Sequence, residues 1–213
     1  MNVIIAGTGY VGLTTGVALA YLGHEVTCLD IDQRKIEELQ NGKIPIYEPG
    51  LEELMEISSD HISFISSYEQ ASIAEAEVIF IGVGTPSRED GRPNLEYVKK
   101  AAESIGQNLG SGYTVVVNKS TVPIGSGNWV GALIEDAYQA RSGEKPDGYF
   151  GVASNPEFLR EGSALHDTLY PDRIVVGAQE KEAVDVLTNL YRPILNQDFP
   201  EPNFLPRPEG FQA

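Results

Sequence analysis

The residues from Gly7 to Gly12 have the composition and spacing of a turn that binds phosphate. They read G-T-G-Y-V-G and stand between an apolar run at residues 2–7 and a helix-like stretch at residues 11–22. The first glycine of such a run permits a tight turn, and the second, Gly9, lets a pyrophosphate approach the backbone. The third lets the helix pack closely on the strand. The pattern predicts a dinucleotide site, and the alternative is that the glycines only close a tight strand–helix turn.

An aspartate ends the second predicted strand, where a dinucleotide ribose would be bound. Asp30 stands roughly twenty residues beyond the glycines, at the place where an acid accepts ribose hydroxyls. A carboxylate there would repel a 2′-phosphate, so the cofactor expected is NAD rather than NADP. Arg34 and Lys35 follow, and we expect them to be solvated or to touch the adenosine side. The alternative is that Asp30 only caps the next helix.

Cys28 is the only cysteine of the chain, and thiols are strong nucleophiles near neutral pH. It stands in E-V-T-C-L-D, residues 25–30, a run typical of a strand in a parallel sheet that is buried on both faces. A buried thiol has a raised pKa and no path to a substrate. We therefore predict that Cys28 is a core residue and not a catalytic nucleophile.

Short β-rich runs alternate with helix-like stretches along most of the chain. This alternation predicts an α/β domain with a doubly wound, Rossmann-like parallel sheet and helices on both faces. The predicted strands are residues 2–7, 25–30, 61–66, 77–83, 113–120, 149–154 and 172–177. The predicted helices are residues 11–22, 33–42, 95–109, 126–140 and 180–191.

Three loops that follow predicted strands carry further polar side chains, at residues 82–87, 118–126 and 153–164. Open α/β sheets place their ligands at this edge. The last loop holds Glu157 and Glu161, which are candidate site carboxylates, and the alternative is an i, i+4 pair on a solvated helix face. The three histidines of the chain have no metal-ligand spacing, so no metal site is predicted.

The end of the chain is rich in proline, at positions 193, 200, 202, 206 and 208. Proline does not continue a helix or a central strand. We therefore expect an NAD-binding domain over residues 1–195. Residues 196–213 are expected to form an extended connection to a further part of a longer protein.

Composition and charge restrict the partners of the chain. Its net charge of −16 disfavours nucleic acids and anionic membranes, because both would be repelled. The apolar N-terminus has no Lys or Arg before Arg34 and contains several glycines, so neither a secretory signal nor a membrane helix is predicted. We expect a cytoplasmic protein.

Four motifs, in this order and spacing, resemble the UDP-glucose/GDP-mannose dehydrogenase family: GTGYVGL, GVGTP, KSTVPIGS and NPEFLREGSA. The resemblance runs from Met1 to about Ile194 and covers the N-terminal, NAD-binding domain of that family. It implies oxidation of the primary alcohol of a nucleotide sugar to a carboxylate, with two NAD and one water, through a cysteine thioester. The sugar nucleotide expected is UDP-glucose. One alternative is that the substrate is GDP-mannose. The other is that the chain is a nucleotide-binding module without catalytic activity.

The resemblance implies a role for each residue that matches a family motif. The pyrophosphate would be held by Gly7, Gly9, Tyr10, Val11 and Gly12. Asp30 would bind the adenosine ribose with Lys35 nearby, and Thr85 and Thr121 would lie near the cofactor or the catalytic water. Glu157 would act as general base or position the water, and Glu161 would contact the nicotinamide side. The sugar-nucleotide site would be lined by the backbone of Phe158, Leu159 and Arg160.

The nucleophilic cysteine of the family belongs to a later segment, after a long central helix that also makes the family's dimer. We expect the chain to lack both. NAD binding is therefore expected to persist in weakened form, and catalysis is expected to be absent. A homodimer is expected for the full-length protein, and the oligomeric state of the chain itself is left open.

Overall fold

Seven strands form one sheet in the computed structural model, which describes residues 1–120, 122–123 and 125–211. They are β1 (Asn2–Ala6), β2 (Glu25–Leu29), β3 (Ile62–Ile65), β4 (Val78–Ile81), β5 (Thr114–Asn118), β6 (Phe150–Ser154) and β7 (Gly177–Ala178). The order in the sheet is β3-β2-β1-β4-β5-β6-β7. The first six strands are parallel, as predicted, and β7 runs antiparallel to β6.

Helices cover both faces of this sheet, which confirms the predicted doubly wound α/β class. The described helices are α1 (Tyr10–Tyr21), α2 (Gln33–Gln40), α3 (Leu51–Ile57), α4 (Glu96–Asn108), α5 (Ser126–Ser142), α6 (Ala164–Leu169), α7 (Lys181–Leu190) and α8 (Arg192–Leu195). The strands β2 and β4 lie on opposite sides of β1, so the order of the strands reverses at β1. The crevice between β1 and β4 is therefore the switch point at which open α/β sheets bind ligands.

The strands are apolar on both faces, so each face of the sheet has its own core. Val3 and Ile5 of β1 pack on the side of α1, and Ile4 packs on the side of α4 and α5. This alternation follows from the two-residue period of a strand. On α4 the buried Val98, Ala102 and Ile105 have helical spacing, which turns that side of the helix toward the sheet.

The prediction of the seventh strand is largely wrong. It was expected over residues 172–177, but only Gly177 and Ala178 pair with the sheet, and they do so in the antiparallel sense. The reason is that the Asn155 side-chain amide donates to the Val175 carbonyl at 2.8 Å. A side chain thus takes the position of a strand partner, and Val175 is left 41% exposed.

Apolar residues of the proline-rich segment pack against the domain, and the predicted connection to a further part of a longer protein remains a prediction. Phe199, Leu205 and Phe211 pack against the core on the α1 side. The Tyr21 hydroxyl donates to the Pro200 carbonyl at 2.7 Å. The expected domain boundary after residue 195 remains a prediction. Among the described residues, no helix is both long enough and apolar enough to span a membrane.

Candidate functional site

The glycine turn joins β1 to α1 at the switch point, and its three glycines differ in what requires them. Gly7 has a φ of +105°, and a Cβ there would lie 2.8 Å from the Gly82 carbonyl oxygen. A Cβ on Gly12 would lie 1.9 Å from the Gly7 carbonyl oxygen. Both positions therefore exclude a side chain for reasons internal to the fold.

Gly9 differs from the other two because none of the described residues requires a glycine at this position. It is the N-cap of α1 with a φ of −72°, which any residue adopts, and a Cβ there would meet no atom within 4 Å. The open space lies at the N-terminus of a 12-residue helix. Such a position attracts phosphate through free amides and the helix dipole. The described fold therefore sets no requirement for glycine at position 9, and it leaves room for a ligand to approach the backbone there.

Asp30 follows β2 and faces the glycine turn. Its Oδ2 accepts hydrogen bonds from the Thr8 amide at 2.9 Å and the Thr8 hydroxyl at 2.7 Å, and it pairs with the Lys35 ammonium at 3.2 Å. Its Oδ1 accepts only the Asp32 amide, at 3.1 Å, within the described part of the chain. A carboxylate oxygen has room for a second donor, so Oδ1 can still accept a ribose hydroxyl.

The α2 helix is capped by Asp32, which accepts from the amides of Arg34 and Lys35 at 3.1 and 3.3 Å. The alternative interpretation of Asp30 as the helix cap is therefore wrong. Burial alone would raise the pKa of Asp30. The Asp32 and Thr8 hydrogen bonds and the Lys35 charge outweigh burial and hold this pKa below its ordinary value. Asp30 is therefore ionised at neutral pH, and both of its oxygens act as acceptors.

A cavity of about 620 Å³ opens beside this carboxylate. Gly7, Gly9, Asp30 and Lys35 line it together, and Tyr68 and Tyr97 add aromatic surface. The cavity therefore combines a turn that attracts anions, a carboxylate that accepts hydrogen bonds, and aromatic rings. These are the features that bind the diphosphate, the ribose and the adenine of a dinucleotide. The residues present fit NAD.

The carboxylate-bearing loop after β6 lies beside a second cavity, of about 680 Å³. Glu157, Phe158, Leu159 and Arg160 line this cavity. Glu157 is half-buried in an irregular segment, and Glu161 is exposed in the turn before α6. Neither residue lies in a helix, so the alternative of an i, i+4 helix pair is wrong.

Two side chains of this loop contact other residues that line the same cavity, Asp167 and Arg173. The Arg160 amide and guanidinium donate to Asp167 at 2.9, 3.0 and 2.6 Å, so the backbone N–H of Arg160 is already used. Phe158 is 48% exposed, and the Arg173 guanidinium lies 4.6 Å from its ring centroid. Thr85 is half-buried after β4 and lines neither cavity, and Thr121 lies outside the described residues.

A buried cation at the base of the second cavity was not predicted. Lys119, which follows β5, donates to the Asn155 side-chain oxygen at 3.0 Å, and the Tyr191 hydroxyl donates to the same oxygen at 2.6 Å. In the described part of the chain, no carboxylate forms an ion pair with Lys119. Burial lowers the pKa of Lys119 to about 8, although Glu157 raises it in part. Lys119 and Asn155 belong to two of the four sequence motifs, but the distance between the motifs along the chain does not indicate that these two residues are in contact.

Cys28 is fully buried in β2, and a Cβ on Gly16 of α1 would lie 2.6 Å from its sulfur. Burial raises the pKa of the thiol to about 12. The prediction that Cys28 is a core residue is confirmed. Within residues 1–120, 122–123 and 125–211, no group of three or more His, Cys, Asp or Glu is placed to hold a metal ion.

The Rossmann-like sheet, the glycine turn and the carboxylate after β2 define an α/β dinucleotide-binding domain. Residues 1–195 match the sequence model of the UDP-glucose/GDP-mannose dehydrogenase family, NAD binding domain. The chain belongs to this family and contains its NAD-binding domain.

Relatives with names or solved structures agree with this assignment. UDP-glucose 6-dehydrogenase YwqF of Bacillus subtilis (strain 168) is 47% identical over 195 residues, which cover 91% of this chain and 42% of that protein. A UDP-glucose dehydrogenase from the archaeon Pyrobaculum islandicum has a TM-score of 0.83 and 40% identity, covering 97% of this chain and 46% of that one. GDP-mannose dehydrogenase from Pseudomonas aeruginosa has a TM-score of 0.80 and 36% identity, covering 90% and 44%. The chain thus spans less than half the length of these relatives.

Proposed function

We propose that this chain binds NAD and serves as the NAD-binding part of an enzyme that oxidises UDP-glucose to UDP-glucuronate. The observation that carries the proposal is the contrast within the glycine turn, where the fold requires Gly7 and Gly12 but leaves Gly9 facing open space. Asp30 supplies the carboxylate that a ribose requires beside such a turn. UDP-glucose is favoured over GDP-mannose because the solved structure named for UDP-glucose is 40% identical, against 36% for the one named for GDP-mannose.

The cofactor would be held along the crevice between β1 and β4. In this proposal the turn from Gly7 through Tyr10 and Val11 to Gly12 receives the pyrophosphate on backbone amides. Asp30 accepts the adenosine ribose hydroxyls, and Lys35 keeps that carboxylate ionised and in place. Bound NAD would supply the acceptor for the hydride that leaves the primary alcohol of the sugar.

The carboxylate-bearing loop would act on the substrate side. Glu157, half-buried at the second cavity, is proposed to accept a proton or to position water. Glu161 is proposed to contact the nicotinamide end, with Thr85 and Thr121 near the cofactor or the water. The backbone of Phe158, Leu159 and Arg160 is proposed to line the sugar-nucleotide site.

The 213-residue chain is proposed to bind NAD without completing the oxidation. A thioester route needs an accessible thiolate, and the only cysteine of these residues is buried, with a pKa raised to about 12. Calorimetry should therefore detect NAD binding, with a dissociation constant in or below the millimolar range. NADH production that depends on UDP-glucose should be undetectable by absorbance.

Each half of this experiment has a result that contradicts the proposal. Absence of NAD binding at millimolar ligand would overturn the cofactor role. NADH formation by the purified chain would contradict the proposed absence of catalysis, and two NADH per UDP-glucose would show that the chain also completes the second oxidation. Replacing UDP-glucose with GDP-mannose would then identify the sugar nucleotide.

The remaining expectations concern the whole protein and are proposals as well. We propose an NAD-binding domain over residues 1–195, followed by a connection over residues 196–213. A cytoplasmic location and a homodimer are proposed for the full-length protein. Light scattering after gel filtration tests the dimer, and cell fractionation tests the location.

A further inference from the structure

A buried carboxylate connects the glycine turn to the carboxylate-bearing loop. Glu48 is 7% exposed and stands in the segment I-P-I-Y-E-P-G, residues 44–50, between α2 and α3. None of the roles proposed above uses this segment. Among the described residues no cation forms an ion pair with Glu48, and its polar contacts are hydrogen bonds. A buried carboxylate is costly unless such donors are fixed around it.

Three donors from two distant segments surround Glu48. The Tyr10 hydroxyl donates to Oε2, and the Gly162 amide donates to the same oxygen at 3.0 Å. The Gly162 amide also donates to the Tyr10 hydroxyl oxygen, at 2.8 Å. The Leu165 amide donates to Oε1 at 3.1 Å. We call these four residues, Tyr10, Glu48, Gly162 and Leu165, the Glu48 latch.

Tyr10 gives the latch its link to the cofactor site. Its backbone is the first residue of α1, directly after Gly9, where free amides would meet the pyrophosphate. Its side chain reaches the turn that contains Glu161. Burial, and then the hydrogen bond to Glu48, raise the pKa of Tyr10 to about 12, so the hydroxyl keeps its proton and remains a donor. One residue therefore carries both the phosphate contact and the contact to the loop.

We propose that Glu48 is a positioning residue, which through the Glu48 latch couples NAD binding at the glycine turn to the placement of the loop from Glu157 to Glu161. The inference rests on the proposed NAD site. When phosphates fix the backbone of Tyr10, its side chain holds Glu48 and Gly162, and the loop is ordered. When the latch is broken, Tyr10 is no longer held by Glu48 and Gly162. Part of the free energy of NAD binding must then be used to order the Tyr10 backbone, so NAD binds more weakly.

Calorimetric titration with NAD tests this coupling on the 213-residue chain. Tyr10→Phe removes only the hydroxyl, and Glu48→Gln removes the charge and places an NH2 donor against the amide of either Gly162 or Leu165. We expect each change to weaken NAD binding by about three- to tenfold, the range that one or two lost hydrogen bonds produce. The double variant should bind no more weakly than the weaker single variant, because both changes break one network. Glu53→Gln, on the exposed side of α3, is the control and should bind as the parent does.

Hydrogen exchange separates coupling from a merely structural role. In the parent chain, NAD should slow amide exchange at Gly162 and Leu165, and in both variants this NAD-dependent slowing should be lost. A purely structural role would lower the melting temperature but leave the NAD affinity of the folded variants unchanged. That result, or NAD-dependent slowing that survives in Tyr10→Phe, would overturn the latch alone. A parent chain that binds no NAD would overturn the proposed function, and the latch with it.

Discussion

Asp30 has two sets of partners at the residue scale, one observed and one proposed. It already holds Thr8 and Lys35, and it is proposed to accept the ribose hydroxyls. Asp30→Asn keeps an acceptor for Thr8 but removes the charge. We expect NAD affinity to fall by about 10- to 100-fold, as for the loss of charge-assisted hydrogen bonds.

The ratio of NAD affinity to NADP affinity gives a second test of this prediction. A general loss of stability would weaken the binding of both cofactors equally and leave this ratio unchanged. Without the carboxylate, the repulsion of a 2′-phosphate disappears, so the ratio of NAD to NADP affinity should shrink in Asp30→Asn. Titration of both cofactors measures the ratio, and Glu38→Gln on the exposed side of α2 is the control. An unchanged ratio would count against Asp30 as the ribose ligand.

Lys119 makes stability depend on pH in a direction that can be calculated. Burial lowers its pKa from 10.5 to about 8, so between these values the unfolded chain binds a proton that the folded chain does not. The free energy of unfolding should therefore rise as the pH rises through this window, by on the order of 3 kcal/mol in full. Below pH 8 the folded chain bears the cost of the buried charge.

Comparison with Lys119→Met isolates this contribution. Urea denaturation of both proteins between about pH 7 and about pH 9.5 should show a rise in the parent that the variant lacks. The two proteins share every other titratable group, so the contributions of those groups cancel in the comparison. Parallel pH profiles would mean that Lys119 is solvated and not buried as a charge.

At the element scale, the β1–turn–α1 unit predicts opposite effects for two similar substitutions. Gly12→Ala places a methyl group against the Gly7 carbonyl, so we expect a loss of about 1–3 kcal/mol or more in the free energy of unfolding. Gly9→Ala meets no protein atom, and the loss should stay below about 1 kcal/mol. The same methyl group occupies the space proposed for the phosphates, so NAD affinity should fall at least about tenfold.

Thermal melts and NAD titrations of the two variants check this pair. The informative result is a folded Gly9→Ala protein that no longer binds NAD well. If Gly9→Ala binds NAD as the parent does, the phosphates do not lie on this turn.

The elements that sequence predicted well are those with a strong local signal. The first six strands and the helices α1, α2, α4, α5 and α7 lie within a few residues of their predicted bounds, because long apolar periodicity and glycine or proline punctuation mark them. The short helices α3 and α8 were missed, since seven and four residues carry too little periodicity. The seventh strand failed because a side chain distant in sequence occupies its pairing position.

The same division holds for the candidate site. The glycine turn and Asp30 follow from a local motif, so they were found. The contacts of Glu48 join residues 38, 114 and 117 positions apart, and no spacing rule relates such residues. Lys119 was missed for the same reason, because its partner Asn155 follows a different strand.

At the scale of the whole molecule, the proline-rich segment contributes packing that its prolines did not predict. Prolines exclude helix and central strand, but the aromatic residues among them still bury surface. The Phe199 ring lies 6.5 Å from that of Tyr21 and 5.8 Å from that of Tyr170, between centroids, and the Arg207 guanidinium lies 5.6 Å from it. The segment therefore forms part of the folded body.

Phe199→Ala should lower the free energy of unfolding by about 2 kcal/mol, less than for a fully buried phenylalanine because Phe199 is half-buried. Tyr47→Ala is the control, because Tyr47 is 87% exposed and should change stability by less than about 0.5 kcal/mol. Urea denaturation measures both. Equal stability of the two variants would mean that residues 196–211 do not hold to the domain in solution.

The single buried thiol gives the whole molecule a built-in reporter of opening. Cys28 is fully buried in β2, between β3 and β1, where a thiol-modifying reagent reaches it only when the core separates. Its rate of modification under native conditions therefore reports the free energy of opening of the core, without any introduced label. Fraying of the chain ends or of exposed loops leaves that rate unchanged.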